Sequence, residues 1–228
     1  MKRFTTHQER WGYFVDVKIN AVQLFKSKKK SLLAYKGKSV LLGSVTDAYQ
    51  PLEKKYGITR GLLEELSGLD LDVSILTKSD LVLRDIDILK NMKKVSVGIT
   101  ITATDDAVRK VIEPGASAVA KRLETLKTLH NNGIATYVFV GPIIPGLTDL
   151  RGIFQALQGS VDEVFGETLN VKSGNFEGLL RCISDNFNAQ RALFIRAVNN
   201  KYYWDRVEAE FKALCREYRI PLAGFFRH

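Results

Sequence analysis

Residues 40–53 read VLLGSVTDAYQPLE, and this stretch decides how the rest of the chain is read. Val40, Leu41, Leu42 and Val45 form an apolar run bounded by Gly43 and a polar tip, the pattern of a buried strand. The tip gathers Ser44, Thr46, Asp47 and Gln50. In parallel α/β proteins ligands bind beyond the carboxyl ends of the strands. A polar cluster at that place is a candidate site; the competing reading is that Asp47 caps the next segment.

On either side the same rhythm recurs. Residues 13–17 (YFVDV) read as a short strand and 21–36 as a helix with Leu24, Phe25, Leu32 and Leu33 on its apolar side. Residues 59–68 read as a helix capped by Thr59 and stopped at Gly68. DVSILTK (72–78) is a strand, and Ser79 or Asp80 can cap the helix LVLRDIDILKNM. KVSVGITIT (94–102) is the next strand, then a short helix at 105–112 and a Pro-Gly turn at 113–116. An amphipathic helix at 117–131 closes on Gly133. IATYVFVGP (134–142) is a strand, Thr148 or Asp149 caps a helix through Leu157, and residues 162–171 read as a strand. NFEGLLRCISDNF and WDRVEAEFKALCREY are helical, and IPLAGFF is a candidate last strand.

Strand and helix alternate about five times, the signature of βαβ units on a parallel sheet. The chain of 228 residues suits one α/β domain, with a core over 13–172 and a helical C-terminal appendage over 173–228. Pattern alone leaves an open doubly wound sheet and a partial barrel both standing. No Gly-x-Gly-x-x-Gly follows the first strand, which counts against a dinucleotide-binding sheet, and there is no Gly-Lys-Ser/Thr phosphate loop.

Hydrophobic content is 45%, enough for a sizeable core. No run approaches the ~20 apolar residues of a membrane span, and the basic N-terminus has no apolar segment behind it, so no membrane partner or secretory signal is expected. The net charge of +9 is unevenly placed: residues 1–60 hold 13 Lys/Arg and 4 Asp/Glu, and the rest is balanced. Such a patch attracts nucleic acid; a solvated helix face (Lys26, Lys28, Lys29, Lys30) is the alternative. Cys182 and Cys215, 33 positions apart, make neither a disulfide framework nor a metal-ligand spacing. They read as two buried, reduced thiols of a cytoplasmic protein. His7, His130 and His228 show no ligand spacing, with His130 structural near a helix end. Tyr202, Tyr203 and Trp204 could stack on bases, but read more readily as core.

Several strand ends carry groups that can bind a ligand. Lys78 follows DVSILT, and Thr100 and Thr102 stand two apart and so share one face. Glu113 precedes Pro-Gly, with Arg122 nine residues on, where a two-point bond to a carboxylate or a plain surface ion pair is possible.

The segments GSVTDAYQPLEKKYGITR, ILTKSDLVLRDIDIL, VSVGITITATDD, EPGASAVAKRLETLKTLHNNGI and YVFVGPIIPGLTD occur in this order through residue 149. Together they resemble the radical S-adenosylmethionine proteins known as DNA repair photolyases, relatives of spore photolyase, over nearly the whole chain to about residue 172. The resemblance implies a partial (β/α)6 TIM-type barrel of parallel strands. It implies a lyase-like enzyme that binds S-adenosyl-L-methionine and a 4Fe-4S cluster and generates a 5′-deoxyadenosyl radical.

By the same resemblance Lys78 takes the methionine carboxylate, while Ser44, Thr46 and Asp47 lie where the amino group is met. Thr100, Thr102, Glu113 and Arg122, read from their own chemistry, are expected at the same cofactor site, and the resemblance implies that the loop GPIIPG, with Gly141 and Pro142, clasps the adenine. The family carries a Cys-x-x-x-Cys-x-x-Cys loop upstream of a stretch like MKRFTTHQERWGYFVDVKINA, where this sequence begins. The first strand and cluster loop are thus expected to be missing, by truncation, a misassigned start or fragmentation, leaving a chain inactive in radical chemistry. A non-catalytic nucleic-acid-binding module driven by the basic N-terminal 60 residues is the rival expectation.

Overall fold

A computed structural model describes residues 8–9, 13–157 and 159–228. The fold is one sheet of six strands in the order β1-β2-β3-β4-β5-β6, all parallel, which with its helices forms a half-barrel of TIM type. The strands are β1 (Ser39–Leu42), β2 (Asp72–Thr77), β3 (Val95–Thr100), β4 (Ala135–Ile143), β5 (Glu163–Thr168) and β6 (Leu222–Phe226). Helix α1 (Ala21–Leu32) precedes β1. The crossovers carry α2 (Glu53–Tyr56) and α3 (Ile58–Ser67), α4 (Ile86–Leu89), α5 (Asp106–Ile112) and α6 (Val119–Asn131), and α7 (Leu150–Leu157). The last crossover carries α8 (Phe176–Asn186), α9 (Asn188–Ala197) and α10 (Lys201–Tyr218) and delivers β6 beside β5.

Strand alternation sets the two faces. Val73, Ile75, Val97, Ile99, Val138, Val140 and Val164 point to the helices and are fully buried. The opposite face carries Ser74, Ser96 and Tyr137, whose hydroxyl donates to the Ile75 carbonyl at 3.1 Å and pairs with Ser74 Oγ at 3.0 Å. Tyr137 reaches across β3 because its register partner is Gly98, where a Cβ would lie 2.0 Å from the ring.

Local chemistry departs from the sequence reading in five places. Residues 13–17 are not a strand, and Tyr13 and Val15 are exposed there. On α1 the inward stripe runs through Val22, Phe25 and Leu32, while Leu24 and Leu33 face out. Gly61 lets α1 close on α3: a Cβ there would meet the Val22 side chain at 2.9 Å. Thr59 lies inside α3 and donates to the Ala48 carbonyl; the buried Glu53 carboxylate takes the free amides of Thr59 and Arg60 instead. The segment after β2 is a 3-10 turn over Asp80–Asp85, capped by Ser79, before the single turn of α4. Finally, β5 stops at Thr168, which frees Leu169 and Asn170 for the loop beyond.

Candidate functional site

The carboxyl ends of β1 to β5 meet over one depression. The chain leaves β1 through Gly43, whose φ of +100° and approach to the Leu76 carbonyl (2.1 Å from a would-be Cβ) admit no side chain. Asp47 then ties this loop to β2. Its Oδ1 accepts from the Tyr49 amide at 2.8 Å and from Thr77 Oγ1 at 2.6 Å, and its Oδ2 accepts from the Lys78 amide at 2.7 Å.

From β2, Lys78 extends its ammonium to 3.7 Å from Glu113 Oε1, a loose pair with the lysine side chain 36% exposed. Glu113 is held more firmly from behind, where Arg122 Nη2 donates to its Oε2 at 2.7 Å and Thr102 Oγ1 donates to its Oε1 at 2.9 Å. Arg122 is 1% exposed, and its other nitrogens donate to the carbonyls of Ser117 and Thr100. The surface-pair reading of Glu113 and Arg122 is corrected: Arg122 is buried with its guanidinium engaged on three sides, and Glu113 is largely covered at the cavity wall. Thr102 is also within 3.1 Å of the Gly141 carbonyl, so one hydroxyl proton serves β3, β4 and the 113–116 turn.

Two adjoining cavities open here, of ≈ 800 Å³ and ≈ 270 Å³. They share Asp47, Lys78, Pro142 and Glu167. The smaller also takes in Ser44, Thr100 and Gly141, and the larger Thr102 and Glu113. Of the ten residues singled out in the sequence, Thr46 is exposed and borders neither cavity, and Arg122 stands behind Glu113. The remaining eight line the two spaces.

Some lining groups escaped the sequence reading. Glu167 at the end of β5 borders both cavities, and His228 Nε2 lies 3.1 Å from its Oε1. Reading 162–171 as one strand hid it, although a charged residue beside Thr168 marks a strand end. Tyr49 is buried, with its hydroxyl donating to Asp85 at 3.1 Å; burial first and Asp85 second hold its phenol well above the ordinary range. Asn170, Phe176 and Leu179 complete the far wall with Cys182. Both cysteines are free thiols, Cys215 buried on α10 and Cys182 half-buried on α8 at the cavity, so the reading of two buried thiols holds for one. Burial raises both, Cys215 to about 11.

Away from the site, Trp204 is buried with its indole donating to the Val198 carbonyl, whereas Tyr202 is exposed. His130 Nδ1 sits 3.6 Å from Asp162, and His7 lies outside the described residues. Among the described residues no helix is long and apolar enough to cross a membrane, and no group of three or more His, Cys, Asp or Glu could hold a metal ion.

The cavities suit an adenosyl sulfonium ligand. The larger falls in the ~300–1,000 Å³ range of small-molecule sites, and three carboxylates with one partly exposed lysine match a molecule carrying both signs of charge. A 4Fe-4S cluster does not fit the chain's own donors. Such clusters are held by cysteine thiolates, and the two present stand on α8 and α10.

The family model described as the Radical SAM superfamily matches residues 22–152. An uncharacterized protein of Methanocaldococcus jannaschii is 41% identical over 164 residues, covering 72% of this chain and 61% of the relative. An uncharacterized protein of Acidianus two-tailed virus is 31% identical over 191 residues, covering 77% and 62%. The chain thus spans about three fifths of the length of these curated relatives. Among solved structures, a spore photoproduct lyase variant with bound S-adenosylmethionine and dinucleoside spore photoproduct superposes with a TM-score of 0.65. It is 16% identical, and the match covers 91% of this chain and 66% of that one, a likeness of fold.

Proposed function

The chain belongs to the radical SAM superfamily, and from that premise we propose that its paired cavities hold S-adenosylmethionine. One observation carries the reading: Lys78, Thr100 and the Gly141-Pro142 pair inside the end of β4, at the ends of three different strands, line the same small cavity. Lys78 offers its ammonium to the methionine carboxylate as a point charge. Asp47 uses three acceptor positions on the protein, which leaves one of its roughly four lone-pair sites for the amino group. Ser44 adds a hydroxyl at the same strand end, and Thr100 adds one toward the ribose. Thr102 and Arg122 are positioning residues that fix Glu113, and the 141–146 backbone meets the adenine. When bound and reduced, S-adenosylmethionine supplies hydrogen-atom abstraction from a substrate, the cofactor performing the hard step.

The proposal for these 228 residues is binding, as a single domain, without radical turnover by this donor set alone. Calorimetric titration with S-adenosylmethionine tests it. The protein should bind, Lys78→Ala should weaken binding about tenfold or more, and Thr46→Ala should leave it unchanged. Failure of the unaltered protein to bind overturns the reading. Anaerobic reconstitution with iron and sulfide should give no iron–sulfur absorbance, and a stoichiometric cluster would contradict the donor argument.

A second reading rests on the placement of charge. No residue of α1 is buried, and Lys28 and Lys30 stand on its exposed face while Lys26 and Lys29 pair with Glu65. With the net +9 of residues 1–60, this surface suits a nucleic-acid backbone. The likeness to a lyase bound to a dinucleoside photoproduct supports a DNA-repair setting. Affinity for duplex DNA should then fall steeply with salt, and a flat response would sink this reading.

A further inference from the structure

We propose that the lobe of the larger cavity between α5 and α8 receives an uncharged, predominantly apolar group of the substrate. This rests on S-adenosylmethionine sitting in the smaller cavity and against the wall it shares with the larger one, beside Lys78 and Glu113, which leaves the far lobe between α5 and α8 free.

The lobe wall is apolar on three sides. Val111 and Ile112 come from the last turn of α5, and Leu169 from the loop after β5. Phe176, Leu179 and Cys182 follow one another at three-residue spacing along one face of α8. Phe176 is stacked on the buried Phe194 at 6.1 Å, which fixes its ring. Neutral hydrogen-bonding groups edge this wall: Asn170, Ser173 and Asn175. Asn170 is fixed by the Lys172 amide, which donates to its Oδ1 at 2.9 Å.

Charge decides the class of occupant. Among the described residues lining the cavity, Lys78 is the one Lys or Arg, and it stands on the wall shared with the smaller cavity. The other charged lining groups are the carboxylates Asp47, Glu113 and Glu167. An anionic group entering the lobe would leave water for a space facing carboxylates and holding no cation of its own. A cationic group does no better. Asp47 and Glu167 stand with Lys78 on the wall shared with the smaller cavity, and Glu113 lies 3.7 Å from Lys78 and is held by Arg122 and Thr102, so the lobe between α5 and α8 holds no carboxylate of its own. An ammonium against Val111, Leu169 and Leu179 would lose its hydration without a partner. An uncharged apolar group gains burial and leaves nothing unpaired.

Three probes sharing one ring separate the cases: indole, indole-3-acetate and tryptamine, titrated into the full chain by saturation-transfer NMR. Indole should bind about tenfold or more tightly than either charged relative. Leu179→Lys, which places an ammonium on the α8 wall, should shift the preference toward indole-3-acetate by a similar factor. Its S-adenosylmethionine affinity should stay within about twofold of the unaltered protein, which also shows that the variant is folded. The proposal is overturned if either charged probe matches indole, if indole does not bind, or if the folded Leu179→Lys protein keeps the original order. Indole selectivity in a protein that does not bind S-adenosylmethionine would uphold the lobe and discard the cofactor seat.

Discussion

Asp47 receives hydrogen bonds from three chain positions, and two of them belong to the end of β2. Asp47→Ala leaves the buried Thr77 hydroxyl and two amides to find new partners. Each buried group left unsatisfied costs about 1–3 kcal/mol, so denaturant unfolding should show a loss of at least that size, together with weaker S-adenosylmethionine binding. Gly43→Ala is the sharper change, because its Cβ would collide with backbone and its φ is left-handed. A loss of stability of about 1–3 kcal/mol or more is expected there from the strained φ alone. At this scale the sequence was partly legible. Lys78, Thr100 and Asp47 stood out because polar residues at strand ends must face a ligand or one another. Whether Arg122 would reach the ligand or stop at Glu113 depended on the depth of α6 behind β3, which no spacing encodes. Glu167 was hidden because the end of β5 is set by its pairing with β4 and β6, not by its own residues.

Elements are held by a buried charged network beneath the β1 loop. Asp85 is fully buried and accepts from Arg60, from Arg84 and from the Tyr49 hydroxyl, while Glu53 joins Arg84 to the start of α3. This network fixes Tyr49 and Gln50 at the cavity wall. Asp85→Ala takes a buried partner from two guanidinium groups, which keep Asp87 and Glu53, and leaves the buried Tyr49 hydroxyl without its acceptor, so a loss of about 1–3 kcal/mol is expected. The measurement is the denaturant midpoint, with an unchanged slope if two-state unfolding persists. Strands β2 to β5 were readable because each is a short β-branched run between turn signals. The strand expected at 13–17 had the right composition but pairs with no edge, and a strand exists by its partner. Thr59 had the chemistry of a cap, yet a carboxylate six residues upstream took that role.

Across the whole molecule, carboxylates paired to cations set the response to acid. Asp106 is held down at about 2 by Arg109 first and the Val119 amide second. Asp80 is lowered by Ser117 and Lys121, Asp87 by Arg60, Glu65 by Lys29, and Glu217 by Arg151. Folded values below the unfolded ones, roughly 4 for carboxylates, mean that the stability these groups contribute is complete above that value. It is lost as pH falls through the folded values. The melting temperature should hold above pH ~5 and drop between pH ~4 and about 2. Asp106→Asn should make that drop shallower and start from a lower neutral-pH value. The alternating pattern made the parallel half-barrel legible, but the sheet's sixth member, β6, was only a candidate because three helices separate it from β5. Being parallel, β6 emerges on the same side as the cavities, and its last residues lie against Glu167 and Thr168. Any polypeptide fused after residue 228 must therefore set out from the rim of the binding chamber, so an affinity handle there would crowd the entrance, whereas one inserted at the exposed Gly133, between α6 and the start of β4, would not.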